Sequence, residues 1–312
     1  MEKQDSESKR KLVIFLTVSI CIILLTSTLS VLFLLQLDYN TRCYKDLVKD
    51  NKEMPIETKQ YKEKIITLDK EIEEYKNIDQ AIINAKADYF KAIKEVEDQI
   101  LAGTSNRKIA YLTFDDGPYF NTYKVLDILD QAGVKATFFT TNINGEYCYD
   151  NKGMNCHVMY QEYFKRGHTI ANHTFTHAIR RGLYNSVDSF MDAVVKQEEL
   201  IKNYTGYTTN ILRFPGGSPT AKGLKDGIIA RLRERGYGYV DWTAGDGDGG
   251  GLYSVDQAWD NLYKTIDSNI EVVLFHDYNG ITTAILPDFI NYLKTNGYEI
   301  YPLFYESNMI KK

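Results

Sequence analysis

The chain has few cysteines and few prolines for its length. Only four of the 312 residues are cysteine and only six are proline. Four cysteines are too few for a disulfide-dependent scaffold, and their positions match no zinc-finger spacing. Basic residues are also in slight deficit, because 37 lysines and arginines face 42 acidic residues, for a net charge of −5. A protein that neutralises many phosphates needs a basic face, so we expect no nucleic-acid partner.

Two cysteines, Cys148 and Cys156, bracket a short polar stretch. A disulfide between them would close a small loop if that part of the chain faces an oxidising space. A free pair of thiols fits the sequence equally well, and the sequence leaves both alternatives open.

One long apolar run lies near the amino terminus. Residues 12–35 carry no charge, and a helix that crosses a bilayer needs about 20 apolar residues. The alternative is a cleavable signal peptide, whose apolar part is only about 7 to 15 residues long. The run continues well past Ser30, so we predict a short cytoplasmic tail at 1–11 and a retained transmembrane anchor at 12–35.

The next segment, residues 36–106, is polar and rich in charge. Several of its apolar residues follow an alternating four-three spacing: Leu68, Ile72, Tyr75, Ile82, Tyr89, Ile93, Val96 and Ile100. This spacing predicts an amphipathic helix or a coiled coil, although Asp79 and Lys86 occupy two positions of the stripe. We predict a helical stalk with possible self-association. The alternative is a helical hairpin that folds back on the following domain.

From residue 107 to 312 short apolar runs alternate with amphipathic stretches. The predicted strands are Lys108–Phe114, Lys135–Thr140, His168–Asn172, Ile211–Phe214, Tyr237–Trp242, Glu271–Phe275 and Tyr298–Leu303, and predicted helices include Ser186–Tyr204, Ser254–Asp267 and Thr282–Asn296. Strands that alternate with helices pair in parallel, so we predict an α/β fold, a distorted (β/α) barrel of about seven strands. Working residues of such a barrel lie at the carboxyl ends of the strands.

Residues able to perform chemistry follow these strands. The first predicted strand ends in T-F-D-D-G-P, where the adjacent carboxylates of Asp115 and Asp116 are expected to point to opposite sides. After the third strand, His173 and His177 stand four residues apart in H-T-F-T-H. Two imidazoles and one carboxylate form a three-ligand metal site with open positions, as in catalytic zinc sites and in non-haem iron oxygenases.

Three further motifs end later strands: R-F-P-G-G at Arg213–Gly217, D-W at Asp241–Trp242 and L-F-H-D ending in His276 and Asp277. The glycine-rich run at 246–251 is predicted to be a mobile rim loop, with calcium binding as the alternative. In this order the five motifs resemble those of the polysaccharide deacetylases, the NodB-homology group or carbohydrate esterase family four. The resemblance covers residues 108–303.

The resemblance implies a role for each matching position. Asp116, His173 and His177 match the ligands of one divalent ion, zinc or alternatively cobalt. Asp115 matches the general base supported by Arg213, and His276 matches the general acid oriented by Asp241. The matching substrate-binding positions are Pro215, Gly216, Trp242 and Leu274. Gly216 stands where many members have tyrosine, which keeps a backbone N–H but removes a ring for sugar stacking.

The implied activity is hydrolysis of N-acetyl groups on a cell-wall polysaccharide, peptidoglycan or a chitin-like glycan, with release of acetate. Such a substrate and the short amino-terminal tail favour a single-pass membrane protein with its catalytic domain outside the cytoplasm. The alternatives are an O-acetyl esterase of the same family, a catalytically inactive wall-binding scaffold, and an iron oxygenase.

Overall fold

The computed structural model describes residues 67, 70, 86–143, 158–252, 254–305 and 307. The predicted anchor and the Cys148–Cys156 pair lie outside this part. Among the described residues no helix combines the length and apolar character needed to span a bilayer. The chain divides into two compact units, Met1–Lys91 and Ala92–Lys312. In the first unit residues 86–91 are helical.

The second unit is built on a sheet of eight parallel strands. They are β1 Lys108–Asp115, β2 Thr137–Thr140, β3 Thr169–Asn172, β4 Ile211–Leu212, β5 Gly238–Tyr239, β6 Ala244–Gly245, β7 Ile270–His276 and β8 Tyr298–Tyr301. The order is β5-β4-β3-β2-β1-β7-β6, and β8 pairs with the first half of β1. All seven predicted strands are present; β1 and β7 are slightly longer than predicted and the other five are shorter. The eighth strand, β6, was not predicted.

Helices connect the strands and cover the outside of the sheet. They are α1 Thr122–Ala132, α2 Val158–Lys165, α3 Val187–Thr205, α4 Lys225–Glu234, α5 Val255–Thr265 and α6 Gly280–Thr295. Ser186, Ser254 and Asn279 cap α3, α5 and α6, because each side-chain oxygen accepts a hydrogen bond from a backbone N–H of the first turn. Such caps satisfy donors that a helix start leaves unpaired, so these helices begin where the sequence predicts them within two residues.

The sheet is strongly curled. Its two end strands, β5 and β6, are separated along the chain by only residues 240–243. In a flat sheet of this order they would lie about 29 Å apart, since neighbouring strands are about 4.8 Å apart. The five backbone steps from Tyr239 to Ala244 reach at most about 18 Å. The connecting segment therefore requires the sheet to bend into a partial barrel, in agreement with the barrel prediction at this level.

The two faces of β1 have different surroundings. Ala110, Leu112 and Phe114 belong to the main hydrophobic core, together with residues of α1 and α6. Thr113 and Asp115 alternate with them and contact the buried guanidinium of Arg213. Because successive strand residues point to opposite faces, the helix-covered face is apolar. The concave face is polar.

Helical residues 92–101 pack at the opposite end of this concave face. Ile93 and Glu97 are buried, and the Tyr111 hydroxyl donates a hydrogen bond to the Glu97 carboxylate. Tyr111 shares a face with Thr113 and Asp115, so Glu97 lies beneath the amino-terminal end of the barrel. This end of the predicted stalk is part of the second unit.

Candidate active site

The ends of β1 and β7 bring two functional side chains together. Asp115 and His276 are register partners on these neighbouring parallel strands, so both side chains emerge at the same edge of the sheet. Leu274 precedes His276 by two residues and lies on the same face. His173 follows β3 directly, and Arg213 follows β4. The sequence motifs from four separate strands therefore meet at one carboxyl-terminal edge.

Asp115 and Asp116 do not point apart, contrary to the expectation for adjacent strand residues. Asp116 has a φ of 70°, a left-handed conformation that is uncommon for residues other than glycine. This turn ends the strand alternation and brings the second carboxylate back toward the first. Oδ2 of Asp115 and Oδ1 of Asp116 each lie 3.6 Å from Nε2 of His173.

Asp116, His173 and His177 have the arrangement of a metal site. Their candidate ligand atoms all lie within 4.8 Å of one another, and Oδ1 of Asp116 is 3.5 Å from Nε2 of His177. Within the described residues this Oδ1 is buried without a hydrogen-bond donor. A buried carboxylate oxygen facing two imidazole nitrogens has an unmet requirement for a cation. The residues present therefore fit a divalent ion.

The surroundings of His173 keep its ring neutral. Burial, with a smaller contribution from His177, lowers the pKa of His173 to about 3. Nδ1 lies 2.8 Å from the backbone carbonyl oxygen of Arg213. A neutral ring must therefore carry its hydrogen on Nδ1 to donate to that oxygen, and its lone pair on Nε2. This is the tautomer that a metal ligand requires, with its orientation fixed by a neighbouring carbonyl.

His177 lies in a loop and not on a helical turn. The loop contains two residues with left-handed backbone, Thr174 and His177 itself. The Asn172 side chain accepts a hydrogen bond from the Thr174 N–H, and the Phe175 N–H donates to the Ala193 carbonyl on α3. These bonds hold the loop so that both imidazoles face Asp116.

Arg213 binds Asp115 in a fully buried ion pair. Nη1 of Arg213 is 2.9 Å from Oδ1 of Asp115 and 2.7 Å from the Thr113 hydroxyl, while Nη2 donates to the backbone carbonyl of Asp241. Burial raises the pKa of Asp115, and the positive charge of Arg213 opposes this rise. The pair thus leaves Oδ2 of Asp115 facing the metal ligands as a carboxylate oxygen of increased basicity.

The carboxylate that orients His276 is Asp248, which corrects the prediction for Asp241. Nδ1 of His276 lies 2.6 Å from Oδ1 of Asp248, and the backbone N–H of His276 donates to Oδ2 at 2.6 Å. Burial disfavours the charged ring, but the hydrogen bond and charge of Asp248 outweigh it and raise the pKa of His276 to about 9. His276 is therefore a cation at neutral pH, with Nε2 3.8 Å from Oδ2 of Asp116.

Asp241 has a different position. Its two carboxylate oxygens accept hydrogen bonds from the backbone N–H and the hydroxyl of Ser218, at 2.8 Å and 2.7 Å. Asp241 thereby fixes the turn after Gly217 and the end of the R-F-P-G-G motif. Its backbone carbonyl also supports Arg213. The D-W motif thus supports the part of the site that contains Arg213 and Asp115.

Asp246 is linked to Asp248 through the hydroxyl group of Thr282. The hydroxyl of Thr282 on α6 lies 2.6 Å from Oδ2 of Asp246 and 2.9 Å from Oδ2 of Asp248. The hydroxyl can donate its one proton to only one of these oxygens at a time. Burial and the charge of Asp248 raise the pKa of Asp246 to about 7, so Asp246 has an increased affinity for a proton at this point.

This arrangement overturns the prediction of a mobile rim loop over 246–251. Asp246 and Asp248 are buried, and Asp248 lies in a short 3₁₀ turn at Asp248–Gly250. A Cβ on Gly249 would come within 2.7 Å of the His276 ring, so glycine permits the close approach of this turn. The aspartate spacing was visible in the sequence, but no sequence signal paired it with a histidine 28 residues later.

The four predicted substrate-binding residues lie around this centre. Gly216 is exposed with φ 74°, and Pro215 before it accepts a hydrogen bond from the Tyr184 hydroxyl. Trp242 packs against Gly217, whose added Cβ would lie 3.0 Å from the indole. Leu274 is half-buried on the face of β7 that carries His276. The turn and the two apolar side chains thus border the same edge of the sheet.

Comparison with known proteins agrees with the fold and the motifs. The polysaccharide deacetylase family model matches residues 102–240. A peptidoglycan-N-acetylglucosamine deacetylase of Bacillus cereus is 31% identical over 207 residues, which cover 65% of this chain and 71% of that protein. In this relative and two further Bacillus relatives, the matched region covers 65–71% of the relative's length.

Two solved structures have the same fold. The catalytic domain of a peptidoglycan N-acetylglucosamine deacetylase from Eubacterium rectale aligns with a TM-score of 0.61 and 35% identity, covering 66% of this chain and 93% of that domain. A polysaccharide deacetylase from Bacillus cereus aligns with a TM-score of 0.58 and 30% identity, covering 66% and 97%.

Proposed function

This chain belongs to the polysaccharide deacetylase family, and on that premise we propose that it removes N-acetyl groups from a cell-wall glycan, with peptidoglycan N-acetylglucosamine as the substrate. The family prediction made from the five motifs is confirmed, and with it the prediction of a deacetylase enzyme at the level of the family. The observation that carries the proposal is that three groups lie together at one edge of the sheet. They are the Asp116–His173–His177 cluster, the carboxylate of Asp115 and the imidazole of His276.

A divalent ion held by Asp116, His173 and His177 would supply Lewis-acid polarisation of the acetyl carbonyl and a lowered pKa for the attacking water. Nitrogen and oxygen donors in this number suit zinc, and we propose zinc as the ion. Cobalt accepts the same donors.

Asp115 acts as the general base. Its free oxygen, Oδ2, faces the metal ligands, while Oδ1 is held by Arg213. A carboxylate fixed in one orientation can accept the proton of a water placed above the cluster as that water attacks the acetyl carbon. The guanidinium opposes the rise in the pKa of Asp115 that burial causes, and so favours the ionised form.

His276 acts as the general acid. An amide nitrogen is a poor leaving group unless it is protonated, and the raised pKa of His276 supplies an imidazolium at neutral pH. Asp248 holds Nδ1, so the proton that is delivered comes from Nε2 on the side of the cluster. The exposed N–H of Gly216 can donate to the carbonyl oxygen as it gains negative charge.

The acetyl group needs a small apolar pocket near these groups. Trp242 and Leu274 border the site and are both half-buried, so their side chains can cover a methyl group from two sides. This complementarity selects an acetyl group and does not by itself distinguish an acetamide from an acetate ester. The high pKa of His276 favours the amide, because an alcohol leaves with less need of a proton donor.

We further propose that the domain acts outside the cytoplasm, carried by the predicted anchor at 12–35 and the predicted stalk at 36–106. The support is the uncharged run in the sequence and the nature of a wall substrate, which lies beyond the membrane. Self-association through the stalk remains a prediction from its four-three spacing.

The test is release of acetate by the purified full-length chain. We expect release from N-acetylated peptidoglycan and chitin-type oligomers, loss of activity with a chelator, and recovery with zinc. The matched control is Asp115→Asn, which should keep the metal and lose turnover. Acetate release from O-acetylated xylan but not from N-acetylated glycans would contradict the proposal and assign the chain to the esterases. Absence of release from both would refute deacetylation altogether.

A further inference from the structure

A row of aromatic rings leads from the general acid to solvent. The rings of His276 and Tyr278 are 5.1 Å apart, those of Tyr278 and Tyr119 5.7 Å, and those of Tyr119 and Phe120 4.6 Å. The outermost ring, Phe120, is 40% exposed. Tyr119 and Phe120 follow the D-D-G-P turn and Tyr278 follows β7, so the row crosses between the two strand ends that carry Asp115 and His276.

The row is fixed by polar contacts on its inner side. The backbone N–H of Tyr119 donates to the Thr122 hydroxyl, which in turn donates to the buried carboxylate of Asp277. The Asn121 amide donates to the backbone carbonyl of Tyr278 at 3.2 Å. The two segments that bear the rings are therefore tied to each other. An aromatic ring held in place at the surface loses little entropy when a ligand covers it.

The opposite side of the site offers no ring at Gly216. With φ 74°, an added side chain there would be strained, and its Cβ would lie 3.0 Å from the Thr220 hydroxyl and 3.2 Å from Ile179. Glycine therefore supplies no stacking surface for a sugar at this position, and a larger side chain would be strained there. Within the described residues, the aromatic rings that begin at His276 lead to an exposed ring on the Tyr119–Phe120 side.

We propose that Tyr278, Tyr119 and Phe120 form a subsite for the glycan chain next to the sugar that is deacetylated, and that Phe120 sets a preference for longer chains. This subsite rests on the proposed function. Apolar faces of pyranose rings stack on aromatic side chains, while their hydroxyl groups remain in water. The three rings pack against one another at tilted or edge-on angles, with Tyr278 and Tyr119 half-buried and Phe120 exposed. Phe120 therefore offers the stacking face for a neighbouring sugar, and the two tyrosines support it beside His276.

The first test is binding, measured by calorimetry with a chitin-type hexamer of N-acetylglucosamine and the full-length chain. The Phe120→Ala substitution should weaken hexamer binding about tenfold, because one buried ring face is lost. Phe120→Trp should restore it. The matched control is Tyr263→Ala on the outer helix α5, where the ring is 56% exposed and stacks on Trp259. Unchanged hexamer affinity in Phe120→Ala would overturn the subsite.

The second test is the chain-length preference in acetate release. Phe120→Ala should lower the ratio of kcat/KM for the hexamer to kcat/KM for the dimer about tenfold, through a higher KM for the hexamer. An equal loss on both oligomers would indicate a general structural effect and would also overturn the subsite. Failure of the unsubstituted chain to release acetate from either oligomer would refute the proposed function, and the binding measurement would still decide on the subsite.

Discussion

Replacing Asp248 by asparagine should shift the pH dependence of catalysis. Asparagine keeps the shape of the side chain and can still accept from the backbone N–H of His276. It weakens the hydrogen bond to Nδ1 and removes the negative charge beside it, and these two interactions with Asp248 are the largest that raise the pKa of His276 to about 9 from an ordinary value of 6.5. The burial of the ring remains and opposes protonation. The charges of Asp115 and Asp116 also remain and favour protonation, so the pKa of His276 in the variant should fall from about 9 toward its ordinary value of 6.5.

The expected size follows from the protonated fraction. A histidine with a pKa of 6.5 is protonated to only about one tenth at pH 7.5. If His276 is the general acid, kcat/KM of Asp248→Asn at pH 7.5 should be on the order of tenfold below that of the unsubstituted chain. The difference should narrow as the pH is lowered toward 6. The direction of the shift follows from the raised pKa of His276. In the unsubstituted chain the ring stays protonated up to about pH 9, whereas without Asp248 it loses its proton at a lower pH.

The assay is the pH profile of kcat/KM for acetate release, which reports groups of the free enzyme. A cation at Asp116 would lower the pKa of His276 both in the unsubstituted chain and in Asp248→Asn. The quantity to compare is therefore the pH difference between the basic limbs of the two profiles. Asp241→Asn is the matched control, and its basic limb should stay in place. An unmoved limb in Asp248→Asn, or a shift in Asp241→Asn instead, would refute the assignment of Asp248.

Three other substitutions test the remaining groups. Asp115→Asn should lower turnover by about 10²–10⁴-fold with zinc content retained; loss of zinc would show that Asp115 is a ligand. His173→Ala should abolish tight zinc binding by elemental analysis, and an unchanged zinc content would exclude the cluster. Arg213→Met should reduce the free energy of unfolding by about 3–5 kcal/mol, because Asp115 loses its buried partner, as measured by urea denaturation. It should also move the acidic limb of the pH profile of kcat/KM to higher pH, because Asp115 loses a positive neighbour. An acidic limb that does not move would show that Arg213 does not influence the pKa of the general base.

Contiguous motifs carried most of the functional prediction. Asp116, His173 and His177 were found in the sequence because each follows an apolar run that ends in a turn, and parallel strands deliver such ends to one edge. The same argument located Arg213 and His276. The structure brings all five together, since the register of β1 with β7 and the order of β3 and β4 place their ends side by side.

The partner of His276 could not be read from the chain. Asp241 follows a recognisable strand, whereas Asp248 follows β6, a two-residue strand with no apolar alternation. Which aspartate contacts Nδ1 of His276 depends on the path of the chain between the two end strands of the curled sheet. The close approach of Asp115 and Asp116 was likewise hidden, because the left-handed backbone at Asp116 is not encoded by a glycine.

The sequence by itself determined the family, the parallel α/β architecture and the residue types of the reaction centre, since these depend on local periodicity and on residues adjacent in the chain. The tertiary structure alone decided which carboxylate serves which imidazole, and that three rings from two loops form one row. Such contacts arise where segments distant in sequence converge on a curved sheet. Their geometry is set by how the curled sheet arranges the ends of its strands, not by any one segment.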